Sequence, residues 1–413
     1  MQISKKVKNC RICSNKKLYK YLDLGNQPPS NSFVKKKNIK EKTFSLTVVL
    51  CKSCGLSQLD TVVSHKFIFS DYAYLSSTSK ALVRHYNEMI NNSCERFKLN
   101  KKDLILDIGC NDGIILDCYK KKYQNLLGIE PSSAGKIAKK KGYKIYKNFF
   151  NSKLSKKILS KNGYAKLITT TNVFAHIDNI KDFTNGISKI LDQKKGVFII
   201  EFPYLLDMLK HLYFDTIYHE HLSYLSITPL KRLFDKYNLK IFDVRSSKVG
   251  ASGPAVRVYV CHKNAEFNIY KSVGIYLHAE KKFGIKKISP YKKFATNVRK
   301  IKLKLLKLIK NLKKKKFKIG AYGAPAKGNT LLNFLKLNDQ TISAVAENNK
   351  IKIGCYTPGS KIKIIDDENF IKLNYKYALL LSWNYLDFFI KKSRYYKKAN
   401  GKFIVPFPKP RII

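Results

Sequence analysis

The feature that most constrains this fold is an apolar run that passes through an acid and breaks into glycines. Leu104-Ile105-Leu106-Asp107-Ile108 runs straight into Gly109-Cys110-Asn111-Asp112-Gly113, and Glu130 ends the next apolar run, 23 residues after Asp107. Glycines let a backbone approach a ligand, and an acid ending the second strand accepts hydrogen bonds from ribose hydroxyls. The spacing fits a nucleoside cofactor held by Asp107, Gly109, Asn111, Gly113 and Glu130. The competing reading is a tight turn in an unrelated α/β protein. Further short apolar runs at Leu126 to Ile129, Leu167 to Thr171 and Gly196 to Phe202 alternate with helical patterns such as Asp182 to Leu191. Strands alternating with helices predict a parallel sheet.

Carboxyl ends of parallel strands face the ligand. Thr169 to Asp178 occupies such an end, which aims Asn172 and His176 at the cofactor's reactive end. For His176 a structural role competes on equal terms. Downstream, Tyr218-His219-Glu220-His221 packs a phenol, two imidazoles and a carboxylate into four positions of a chain with only 8 His. An extended backbone would put His219 and His221 on one face and Tyr218 and Glu220 on the other, whereas a helical turn would scatter them. One reading is a metal site completed by His211 or Asp215. The other is an imidazole base beside a phenol and a carboxylate, the equipment for removing a proton α to a carbonyl.

Cys10-x2-Cys13 and Cys51-x2-Cys54 suit a structural Zn2+ held by four thiolates, with a redox pair as the alternative. The net charge of +53 invites a nucleic-acid reading, but it comes from 72 Lys against 9 Arg. A surface built to grip phosphates favours Arg for its bidentate geometry, so the excess reads as coding bias. No apolar run approaches the roughly 18 residues needed to span a membrane. The first 13 residues lack a signal-peptide core, and a cytoplasmic protein is expected. Val298, Ile301, Leu305, Leu308 and Leu312 mark an amphipathic, lysine-rich helix that either packs on its own domain or lies on a membrane surface. Lys318 to Gly328 reads as a second strand, glycine-rich loop and helix.

The D-x-G-x-x-x-G form resembles class I methyltransferases, which bind S-adenosylmethionine. Over nearly its whole length the chain resembles the nucleotide-sugar C-methyltransferases of branched deoxysugar biosynthesis. The matching segments are Cys10 to Cys13, Leu22 to Pro28, Cys51 to Leu59, Asp71 to Ser77, Leu106 to Gly113, Gly128 to Ser132, Asp215 to His221, Gly323 to Asn329 and Tyr356 to Ser360. The resemblance implies a zinc-binding module (1–70), a central Rossmann-like class I methyltransferase domain (71–290) and a C-terminal Rossmann-like α/β domain (291–413) that helps bind a nucleotide sugar. It implies α-proton abstraction from a keto sugar and methyl transfer to the carbanion. His221 is then the base, with Tyr218, Glu220, His176 and Tyr72 around the sugar and Asn172 near the methyl donor. Lys327, Asn329, Glu347 and Tyr356 become the substrate-binding set. Two segments depart from the family pattern, Glu347 to Gly354 and Gly250 to Pro254, and both fall on the substrate side. The sugar, its nucleotide and the oligomeric state stay open, a monomer included. An RNA methyltransferase on the same cofactor fold and a non-catalytic scaffold remain as rival readings.

Overall fold

The computed structural model describes residues 3–69, 75–120, 122–247, 249–250, 253–386, 389–390, 396 and 401–413. Tyr72 lies outside them.

The N-terminal strands β1 (Leu18–Gln27), β2 (Phe44–Cys51) and β3 (Ser57–Leu59) pair antiparallel in sequence. They lead to helix α1 (Lys80–Arg96), whose first turn is capped by the Ser79 hydroxyl accepting from the Leu82 amide. The capping satisfies an amide that the helix itself leaves unpaired.

The central sheet follows the alternation read from the sequence. Strand β4 (Leu104–Ile108) feeds helix α2 (Ile114–Tyr119), followed by β5 (Leu126–Ile129), β6 (Lys144–Tyr146) and β7 (Ala165–Thr171). Helix α3 (Ile180–Ile190) leads to β8 (Val197–Phe202). The two-residue strand β9 (Ser223–Tyr224) leaves this region to pair with β3 of the N-terminal sheet. Strands β10 (Leu239–Ser247) and β11 (Ala255–His262) complete a seven-stranded sheet in the order β10-β11-β8-β7-β4-β5-β6. Neighbours from β8 to β6 are parallel, and β11 runs antiparallel to both β8 and β10. Strand β4 is buried throughout, as a parallel strand covered on both faces must be.

Helix α4 (Ile288–Lys314) buries Val298, Ile301, Leu305, Ile309 and Leu312. Its start reaches the N-terminal sheet, where Tyr291 meets Tyr21 with ring centroids 4.9 Å apart. The lysine-rich helix thus packs on its own protein. Strand β12 (Ile319–Tyr322) and helix α5 (Ala326–Leu335) are the expected second strand and helix. With β13 (Val345–Ala346), β14 (Ile364–Ile365), β15 (Tyr377–Leu380), β16 (Lys402–Val405) and β17 (Arg411–Ile412) they build a six-stranded sheet, β14-β13-β12-β15-β16-β17, parallel except for its last pair. The structure is therefore α/β, with a Rossmann-like core and a cysteine-bearing N-terminal module. Among the described residues no helix is long and apolar enough to cross a membrane.

Candidate active site

The four cysteine sulfurs lie within 4.8 Å of one another. Cys10 and Cys54 sulfurs are 3.4 Å apart, and those of Cys13 and Cys51 are 3.5 Å apart. Tetrahedral zinc with bonds of ~2.3 Å requires sulfurs about 3.8 Å apart, so Cys10, Cys13, Cys51 and Cys54 fit the ion and leave no open position. Between two of them, the buried Arg11 reaches across to Asp178 at 2.5 Å.

At the carboxyl ends of β4 and β5 the loop takes the shape its glycines allow. Gly109 has φ +76°, and a Cβ there would come within 2.4 Å of the Val173 side chain. Asn111 adopts φ 50° and Asn172 φ 57°, a left-handed conformation that asparagine tolerates better than most residues. The Asn111 amide donates to Glu130 at 2.9 Å, and the Ser132 amide donates to the other Glu130 oxygen at 2.8 Å. Asp107 accepts from the Thr169 hydroxyl at 2.7 Å, and burial pushes its carboxyl up to about 7.

Tyr218 to His221 forms neither strand nor helix but a tight turn closed by the His221 amide donating to the Tyr218 carbonyl at 2.9 Å. The turn brings Tyr218 and His221 together, their ring centroids 4.0 Å apart. His221 Nδ1 lies 2.8 Å from the Thr216 carbonyl oxygen, which can only accept. Nδ1 therefore carries the proton, Nε2 holds the lone pair, and the Tyr218 hydroxyl donates to Nε2 across 2.9 Å. Burial lowers His221 to about 4 and so keeps it neutral. His176 stands 5.0 Å from it, ring to ring, and is held well below the usual imidazole range by burial and by the neighbouring imidazoles. Glu220 accepts from the Asn31 side-chain amide at 2.7 Å, and burial raises its carboxyl to about 7. His219 turns away, its Nε2 3.1 Å from the Phe44 carbonyl. That orientation removes the two-histidine metal site, and the four cysteines form the only metal-ready cluster among the described residues.

These groups share one cavity of about 1240 Å³. Asp107, Gly109, Asn111, Glu130 and Asn172 line one part of it, and Tyr218, Glu220, His221 and His176 line another. Gly113 does not line it; with φ +87° it turns the chain into α2. The loop that admits no Cβ, the paired acids and the apolar Ile114, Ile115 and Ile129 suit an adenosine-bearing cofactor.

Of the four residues expected to bind substrate, only Lys327 reaches the cavity. Asn329 donates to the Ser30 carbonyl at 2.7 Å, and Glu347 accepts from the Ala324, Asn348 and Asn349 amides. Tyr356 bridges to Val34 and Lys363 through its backbone. None of these three residues lines the cavity. Residues that the sequence reading passed over take their place. Asn31 and His65 come from the N-terminal module, and Lys352 and Asn384 from the C-terminal region. Lys352 sits inside the divergent segment 347–354, and Asn31 ends a Gly/Pro/Asn-rich stretch, residues 25–31, so both stretches carried a signal.

Three family profiles match in succession and together span most of the chain. They are a zinc-binding domain (residues 10–69), a methyltransferase domain (83–244) and a C-methyltransferase C-terminal domain (250–408). The C-methyltransferase NovU of Streptomyces niveus is 29% identical over 414 residues, covering 100% of this chain and 98% of that protein. Among solved structures, an S-adenosylmethionine-dependent methyltransferase from Clostridium acetobutylicum matches with a TM-score of 0.34 at 15% identity, covering 44% of this chain and 92% of that one. Magnesium protoporphyrin IX methyltransferase from Synechocystis matches with a TM-score of 0.34 at 10% identity, covering 48% and 91%. The order of the three matched domains, the four-cysteine cluster and the glycine-bounded cofactor loop agree, and the chain has the makeup of an S-adenosylmethionine-dependent C-methyltransferase with an N-terminal zinc-binding domain.

Proposed function

We propose that this protein methylates a carbon of a nucleotide-linked keto-deoxysugar in the cytoplasm. In this reading residues 1–70 form the zinc module, 71–290 the methyltransferase domain and 291–413 the part that helps hold the nucleotide sugar. The observation that carries it is the single cavity shared by the cofactor loop and the Tyr218–His221 pair. Its other wall bears the buried Lys327 and the half-buried Lys352, cations suited to an anionic acceptor. None of the nine cysteines forms a disulfide, which suits a reducing compartment.

His221 is the base. The α C–H bond breaks, its electron pair moves into the carbonyl as an enolate, and the proton ends on Nε2. The Tyr218 hydroxyl can relay it, giving its own proton to Nε2 as it receives the substrate's. S-adenosylmethionine, when bound, supplies an electrophilic methyl group for the carbon that has lost the proton. An imidazole lowered by burial is a weak base, so enolate stabilisation carries much of the work. Glu220, protonated up to about 7, offers an O–H donor for the enolate oxygen. His176 completes the proposed sugar surroundings, and Asp107, Gly109, Asn111, Glu130 and Asn172 the donor site.

The test is incubation of the zinc-loaded protein with S-adenosylmethionine and a panel of nucleoside-diphosphate keto-deoxyhexoses. A product heavier by one methylene, with the new methyl on carbon by NMR, is expected. Methyl transfer to oxygen, or to none of the sugars, overturns the reading.

A further inference from the structure

Asp215 is a fully buried carboxylate to which the proposed chemistry gives no task. Burying a carboxylate is costly unless it is paired. Its partner is the indole of Trp383, which donates from Nε1 across 2.6 Å to Asp215 Oδ2 from a position 168 residues away. The Trp383 ring also lies under the Lys327 ammonium, 3.8 Å from nitrogen to ring centroid, and against Tyr213, with centroids 4.2 Å apart. Phe214 packs against Phe334 and Phe407, each at 5.2 Å. The short turn Phe214–Thr216 therefore belongs to the central region by sequence and is seated in the C-terminal region by contact.

Directly after Asp215 comes Thr216, whose carbonyl holds His221 Nδ1–H at 2.8 Å. On the far side of the pair, the Leu222 carbonyl accepts from the Leu59 amide at 3.0 Å, and β9 joins the N-terminal sheet. The Tyr218–His221 turn is thus clamped at both ends by parts of the protein that are not its own domain. We infer that Trp383 is a positioning residue for this pair: its indole N–H fixes Asp215, and with it the Thr216 carbonyl that sets the His221 tautomer. The functional consequence rests on His221 being the base. Lys327 and Asn384 hydrogen-bond each other on the cavity wall beside Trp383. A ligand held there touches the same group of residues that orients the base.

Trp383→Phe tests the claim, because it keeps a smaller aromatic ring beside Lys327 and Tyr213 and removes the donor. Full-length, zinc-loaded protein labelled with 15N at histidine reports ring tautomers directly, and His221→Asn identifies the His221 signals. In the unsubstituted protein His221 should show one tautomer, protonated at Nδ1. In Trp383→Phe it should show mixed or exchange-broadened ring signals. With a nucleoside-diphosphate 4-keto-6-deoxyhexose as probe, kcat should fall about 10- to 100-fold, the scale of a misplaced catalytic group, with KM changed less than about twofold. Asp215→Ala removes the same bond from the other side and should reproduce both effects if Trp383→Phe fails to fold. Unchanged His221 signals in either folded variant overturn the inference. Solvent-deuterium exchange at the sugar's α-carbon separates the two ideas. Lost exchange in His221→Asn with normal rate and ring signals in Trp383→Phe overturns the positioning role and leaves the base in place. Altered ring signals in Trp383→Phe with undiminished exchange in His221→Asn support the positioning role and overturn the base.

Discussion

The side-chain amide of Asn31 donates to the Glu220 carboxylate at 2.7 Å, so the zinc-bearing module reaches the turn that carries the candidate base. Burial raises Glu220 to about 7. A carboxyl protonated up to about 7 when folded, and only up to about 4.5 when unfolded, contributes stability that is fully present below 4.5 and lost as pH rises through 7.

If protonated Glu220 donates to the enolate, kcat should decline as pH rises above about 7. Glu220→Gln keeps an acceptor for Asn31 and an N–H donor that does not titrate, so its decline should be shallower. Steady-state kcat between pH 6 and 9, on the order of one point per half unit across the expected transition, decides it. Superimposable profiles would remove Glu220 from the chemistry.

His221→Asn should bind both ligands yet lose turnover by roughly 10²–10⁴-fold, the usual cost of deleting a general base. Tyr218→Phe deletes the hydroxyl that faces Nε2 and should show a smaller loss if it only relays the proton. Exchange of the α-proton in D2O should fall in step with methylation. Exchange that survives while methylation stops would make His221 an acceptor-positioning group and turn attention to His176 or Tyr218.

Gly109→Val should abolish binding of S-adenosylmethionine. It forces a left-handed backbone onto a branched residue and drives its Cβ into Val173. Glu130→Ala should weaken binding by about 1–3 kcal/mol through lost hydrogen bonds. Titration calorimetry gives both values, and unchanged affinity in both variants would place the donor elsewhere.

Removing zinc should loosen the N-terminal module before the rest, and the effect should reach the cavity. Arg11, between two ligands, holds Asp178, and Asp178 lines that cavity. Hydrogen exchange after chelation should therefore rise both around the cysteines and at residues 176–179. Metal analysis finding no zinc, with four titratable thiols, would end this account.

Legibility in the sequence tracked how local each feature is. Asp107 to Gly113 and Glu130 could be read because strand, loop and strand follow one another. The identities of Tyr218 and His221 were equally plain, but their conformation was not. Four residues do not reveal a turn whose ends are fixed by Leu59 and by the aromatic seat around Phe214. Asn31 and Lys352 lie in stretches that stood out, but their place in the cavity, like the contact of Trp383 with Asp215, comes from residues far apart in the chain, which no local pattern encodes. Asn329 and Glu347 lie off the cavity for another reason: Asn329 holds the Ser30 carbonyl and Glu347 the Ala324 amide, so a polar side chain near a glycine-rich loop can serve backbone groups.

The cavity draws on all three parts of the chain, and this bears on how such an enzyme can change. The wall proposed for the methyl donor comes from the strand ends of the central sheet between Asp107 and Asn172, whereas Lys327, Lys352 and Asn384 on the opposite wall come from the last third of the protein. If that last third holds the acceptor, exchanging it between relatives would retune the acceptor without rebuilding the donor site. A fragment gains nothing comparable, because losing either the first or the last third of the chain removes cavity-lining residues and opens the remaining wall to water.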